Sequence, residues 1–84
     1  MFIKDIGNEL KLKKPLSVEV GISYVSTAKI GGNYFYGEGK TEEEAIGDLK
    51  IAIYDMYHYL SGDDDELLTE DGKVGKERFL FSFQ

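Results

Sequence analysis

Thr41-Glu42-Glu43-Glu44, followed by Ala45, Leu49, Ala52, Ile53, Met56 and Leu60, limits this chain more than any other stretch. A threonine with a glutamate three residues on forms a capping box: the hydroxyl accepts from the Glu44 amide, and the Glu44 carboxylate reaches back. Carboxylates in the first turn also suit the positive end of the helix dipole. The apolar residues recur at three- and four-residue spacing, which places them on one helical face. The pattern predicts a helix that opens at Thr41 and ends at Ser61-Gly62, with Gly62 as a left-handed cap. Gly47 lies inside it, at a cost of roughly 1 kcal/mol relative to alanine, and is expected to let a strand approach closely. The chain has 84 residues, enough for a single domain spanning 1–84, so the rest must pack against this helix.

The preceding residues alternate. Val18, Val20, Ile22 and Tyr24 are interleaved with Ser17, Glu19, Gly21 and Ser23, the period-two pattern of a strand with one apolar face. Gly21 marks a turn or a bulge. The β-branched run 24–30 continues as strand, Gly31-Gly32-Asn33 is a turn, and 34–39 returns as a second strand, which makes a hairpin. Pro15 separates an earlier stretch, "ELKLKK", that supplies an additional strand. At the C-terminus Phe79, Phe81 and Phe83 alternate with Leu80 and Ser82 and predict a final strand. The expected fold is α+β: a three- to four-stranded, mainly antiparallel sheet packed on one main helix, in the order β-β-β-α-β. One helix covers one face of such a sheet, so the other face, or a sheet edge, is left for a partner.

Gly39-Lys40-Thr41 matches the end of a phosphate-binding loop. That loop needs a glycine five positions before Gly39, where this chain has Tyr34. Glu42, Glu43 and Glu44 would also repel a phosphate at the helix N-terminus. The stretch is therefore a glycine turn and a helix cap, with no nucleotide cofactor.

Charge is divided unevenly. Residues 1–40 carry six lysines against four acids, whereas 41–84 carry twelve acids against four bases, for a net charge of −6. Such a balance disfavours direct nucleic-acid binding and favours a basic protein partner. The chain has no cysteine, which excludes disulfides and thiolate metal sites and fits a reducing cytoplasm. No signal peptide and no membrane span are evident.

The acidic residues Asp63, Asp64, Asp65, Glu66, Glu70 and Asp71 lack the ligand spacing of a calcium loop. They are candidates for contact with lysines and arginines of another protein. Ile46, Tyr54 and Tyr57 lie off the main helical stripe and are candidates for self-association into a homodimer or higher oligomer. His58, the one histidine, has no cysteine or acid pair beside it, so neither a metal site nor catalysis is expected of it. Tyr24, Tyr34, Phe35 and Tyr36 are aromatic enough to stack bases, but no lysine or arginine is interleaved among Tyr34, Phe35 and Tyr36. Packing, in the core or at an interface, is the expected role.

The segment "YFYGEGKTEEEAIGDLKIAIYDMYHYL" resembles the HicB-like antitoxin family, through Gly39, Thr41, Glu43, Glu44, Ala45, Leu49, Ala52 and Leu60. The resemblance covers roughly residues 18–60. Gly31-Gly32-Asn33 replaces the family's Leu-Pro-Gly element, and Lys40 stands where aspartate is common. The resemblance implies a partial RNase H fold and an antitoxin, dimeric or of higher order, that neutralises a small basic RNA-cleaving toxin. The expectation is an antitoxin without a DNA-binding domain of its own, acting by protein binding and not as an enzyme. The alternative is a stand-alone protein-binding or inhibitory module of the same fold.

Overall fold

The computed structural model describes the backbone of residues 1–61 and 70–84, and the side chains of residues 1–61 and 75–84. The fold is α+β, with antiparallel strands in two small sheets packed on one main helix and a shorter second helix after it. Strands β1 (Phe2–Gly7) and β2 (Leu10–Ser17) form one hairpin. Strands β3 (Glu19–Val20), β4 (Val25–Ile30) and β5 (Asn33–Glu38) form the second sheet, in that order. Helix α1 (Glu42–Leu60) packs against β5, β4 and β1, and so bridges the two sheets. Helix α2 (Glu70–Phe81) follows.

The stripe read from the sequence is the buried face of α1. Ala45, Leu49, Ile53 and Leu60 are buried, with Ala52 and Met56 half-buried beside them. They meet Ile6, Leu10 and Leu12 of the first hairpin, and Ala28, Ile30 and Phe35 of the second sheet. Thr41 caps the helix: its hydroxyl accepts from the Glu44 amide at 3.2 Å. The Glu44 carboxylate accepts from the Lys40 amide at 2.7 Å, one residue earlier than the usual capping box. Ser61 ends the helix, its amide donating to the Tyr57 carbonyl. The expected cap at Gly62 lies outside the described residues.

Three expectations are corrected. First, Val18 to Tyr24 is not one strand. The chain turns at Gly21–Tyr24, where the Gly21 amide donates to the Val25 carbonyl (2.9 Å) and the Tyr24 amide to the Gly21 carbonyl (3.1 Å). Ile22 is fully exposed and Tyr24 has φ +52°. The alternation therefore stops at Val20, and the glycine marks a turn.

Second, Phe79 and Phe81 belong to a helix and Phe83 lies two residues beyond its end, so the order is not β-β-β-α-β. Phe79 and Phe83 are four apart and fall on one side of a helical path. Both are buried, with rings 5.0 Å apart. Phe81 points away, 75% exposed, beneath the Lys13 ammonium, which lies 3.7 Å from the ring centroid. Only the last residues pair as a strand would. Phe83 bridges Leu12, the Lys13 amide donates to the Ser82 carbonyl (2.9 Å), and the Gln84 amide donates to the Lys11 carbonyl (2.9 Å).

Third, the close approach of strand and helix is not at Gly47, where an added Cβ would meet nothing within 4 Å. It is at Gly37 in β5. A Cβ there would overlap the Leu49 amide and the Ala45 carbonyl of α1, and would stand 2.8 Å from the Leu49 Cα. Ser26 of β4, fully buried, lies at the same crossing. Its hydroxyl donates to the Ala45 carbonyl at 2.6 Å, with the Gly37 carbonyl 3.2 Å away as a second acceptor.

The Gly31-Gly32 turn between β4 and β5 is as the sequence indicates. Its φ values of +57° and +87° match a two-residue primed turn. It also presses on α2: a Cβ at Gly31 would stand 2.7 Å from the Phe79 amide nitrogen.

Candidate binding surface

Both helices contribute to one face of the second sheet. Ser26, Ala28, Ile30, Phe35 and Gly37 point inward to them. The alternate residues Thr27, Lys29, Tyr34, Tyr36 and Glu38 point to the opposite face. Phe35 thus parts from its neighbours: it is buried with its ring centroid 5.5 Å from that of Phe79, whereas Tyr34 and Tyr36 are 63% and 62% exposed. On the outer face Lys29 pairs with Tyr34 across the strands and Thr27 with Tyr36. The Lys29 ammonium lies 5.2 Å from the Tyr34 ring centroid. The outer face is therefore aromatic at one edge and carries a single cation over one ring.

That edge is also open in its main chain. Among the described residues β5 pairs on one side only, with β4. At its far end the Glu38 amide donates to the Asp48 carboxylate of α1 at 3.0 Å. Asp48 was not singled out from the sequence, because nothing local shows that a helical aspartate caps a strand edge. A shallow hollow lies beside it, lined by Glu38, Lys40, Glu44, Asp48 and Ile51.

The residues expected to contact a partner divide into two groups. Asp63, Asp64, Asp65 and Glu66 lie outside the described residues. Glu70 and Asp71 form the first turn of α2. The self-association candidates Ile46, Tyr54 and Tyr57 are half-buried on α1. Tyr54 and Tyr57 pack against the chain's own core, with Tyr57 edge-on to Phe83 at 5.0 Å. The large exposed apolar side chains of α1 are instead Ile51 and Tyr59.

At the helix entrance the Lys40 and Glu44 amides are already bonded within the chain, in keeping with a cap at Gly39-Lys40-Thr41. His58 is exposed, edge-on to Tyr54 at 4.5 Å. Among the described residues no group of three histidine, cysteine or acidic side chains is placed to hold a metal ion. No described helix is long and apolar enough to cross a membrane. A cleft of about 300 Å³ between β2, β4 and the end of α2 is floored by Leu12, Leu16 and Ile30 and ringed by Lys13, Lys14 and Lys29.

No family model matches the chain, and no significant match is found among curated proteins or solved structures.

Proposed function

We propose that this chain works by binding protein, as a HicB-like antitoxin whose partner is a small basic RNA-cleaving protein. The observation that carries the proposal is the charge asymmetry: residues 41–84 hold twelve of the sixteen acids. Such a surface attracts lysine- and arginine-rich proteins and repels nucleic-acid phosphates. The uncovered sheet face with Tyr34 and Tyr36 supports a binding role, since exposed aromatic residues are favoured anchors at interfaces. The resemblance of roughly residues 18–60 to HicB-like proteins supports the antitoxin assignment. A helix stands where that resemblance implies a final strand. That difference supports a second reading, a stand-alone binding or inhibitory module.

The test is a tagged pull-down from native cells, washed at low and at high salt, with the retained proteins weighed. A small basic protein held at low salt and released at high salt is the expected result. Its RNA-cleaving activity, and the loss of that activity on adding back this chain, would complete the case. Recovery of the chain with no basic companion at either salt would sink the antitoxin reading and favour the stand-alone module.

A further inference from the structure

The open edge of β5 is a short window with defined ends. In an antiparallel pair, residues alternate between those that exchange hydrogen bonds with the neighbour and those that face away. The Gly39 amide donates to the Tyr24 carbonyl at 3.2 Å. In the same register Ser26 pairs with Gly37, Ala28 with Phe35 and Ile30 with Asn33. These are the bonded pairs. The N–H and C=O groups of Tyr34 and Tyr36 therefore point out of the sheet, and no described residue pairs with them. The window closes at one end at the Gly31-Gly32 turn. It closes at the other at Glu38, whose amide Asp48 already occupies. A strand edge in this state is a template for another strand.

We propose that the occupant is the same edge of a second copy, running antiparallel about a two-fold axis at Phe35. The sequence Tyr34-Phe35-Tyr36 reads the same in both directions, so this register sets Tyr34 beside Tyr36 of the second copy, twice. All the outward main-chain groups of the two tyrosines are then paired. The positions that cannot pair, Gly32 in the turn and Glu38 under Asp48, fall opposite one another. On the outer face the tyrosines form a continuous cluster across the junction.

Charge fits the same arrangement. Lys29 already leans over Tyr34 toward the edge. Strand spacing and rise put its Cα about 12 Å from that of Glu38 in the second copy, within the combined reach of a lysine and a glutamate. The Asp48 carboxylates sit at opposite ends, roughly 20 Å apart along the strands, beyond the Debye length of about 8 Å at physiological salt. This pairing does not depend on what else the chain binds.

The test is the mass in solution of the full chain, by sedimentation equilibrium over a wide concentration range. A species of twice 9.5 kDa is expected. Tyr36→Pro removes an N–H that the chain itself does not use, at an edge position where proline is tolerated. It is expected to give a monomer with unchanged far-UV circular dichroism. Cysteine pairs test the register, and the natural chain has no cysteine to interfere. A mixture of Tyr34→Cys and Tyr36→Cys chains places Cα atoms about 5.5 Å apart, within disulfide range. Tyr34→Cys alone places them about 8 Å apart, outside that range. Cross-linking of the mixture and not of the single variant is expected. The proposal fails if the natural chain is monomeric throughout, as it would be if the edge serves only a different protein. It also fails if a folded Tyr36→Pro chain stays dimeric, or if Tyr34→Cys cross-links as well alone. Should Tyr36→Pro not fold, the cysteine pattern decides.

Discussion

Replacing Gly37 by alanine adds one methyl group at the place where β5 and α1 touch backbone to backbone. The methyl would overlap the Leu49 amide and the Ala45 carbonyl, and no side-chain rotation relieves the overlap because the three nearest atoms are all main chain. Ordinary contact needs about 3.5–4 Å, whereas the Leu49 Cα is 2.8 Å away. The N-terminal half of α1 must therefore back away from the sheet by on the order of 1 Å. That displacement strains the packing of Leu49 and Ile53, at about 1–3 kcal/mol for an overfilled core. It also lengthens the 2.6 Å bond from Ser26 to the Ala45 carbonyl, for about 1 kcal/mol more. The expected cost is about 2–4 kcal/mol, which is a large part of the roughly 4–13 kcal/mol that a chain of this size has in total.

Urea unfolding followed by circular dichroism measures this directly, with the slope m checked for constancy. In a thermal melt the same cost lowers Tm by about 10–25 °C. Gly47→Ala is the internal control: it lies within α1, and its added Cβ meets nothing. It is expected to stabilise by up to about 1 kcal/mol through helix propensity. If Gly37→Ala falls within about 0.5 kcal/mol of the natural chain, the range of an ordinary surface change, the backbone contact is not as tight as described. If Gly47→Ala costs as much as Gly37→Ala, the effect is not specific to the crossing.

Two further substitutions probe other joints of the fold. Thr41→Ala removes the hydroxyl that accepts from the Glu44 amide and is expected to cost about 1 kcal/mol, read as a lower urea midpoint at unchanged slope. Gly31→Ala puts a Cβ 2.7 Å from the Phe79 amide nitrogen at a positive φ of +57°. It should cost more than Thr41→Ala, about 2 kcal/mol or more from backbone strain together with the displaced α2, and unfolding of the two chains side by side checks the order.

The sequence shows α1 well and the strands unevenly, for a physical reason. A long helix repeats its signal over several turns, so one ambiguous residue such as Gly47 does not erase it. Short segments have no such redundancy. Phe79, Phe81 and Phe83 alternate, but any residues at i, i+2 and i+4 also contain an i, i+4 pair. The three phenylalanines therefore satisfy the strand period while two of them satisfy the helix period. The structure takes the helical option through Phe81 and closes with a turn, which buries Phe79 and Phe83 on one side and leaves Phe81 outside under Lys13. The run from Val18 to Tyr24 fails differently: its alternation is real up to Val20, and Gly21 then releases the chain into a turn. The surface was legible only in part. Alternation separates Tyr34 and Tyr36 from Phe35, but which strand stands at the edge depends on long-range pairing, and so does the capping of Glu38 by Asp48.

The stretch around Gly39-Lys40-Thr41 acquires its meaning from that geometry. Gly37 lets β5 lie directly on α1, and Thr41 and Glu44 close the turn between them. Asp48, on the second turn of the same helix, then reaches the end of the β5 edge. These contacts hold β5 with Phe35 inward and Tyr34 and Tyr36 outward, so they position the candidate surface without belonging to it. A change at Gly37 should therefore weaken any partner that uses the β5 edge, as well as the fold. A change at Tyr34 or Tyr36 should weaken the partner alone, since both side chains are largely exposed on the outer face. Measuring stability and association together for Gly37→Ala and Tyr34→Ala separates the two roles. Equal loss of stability in both would mean that the tyrosines serve the fold and not the surface.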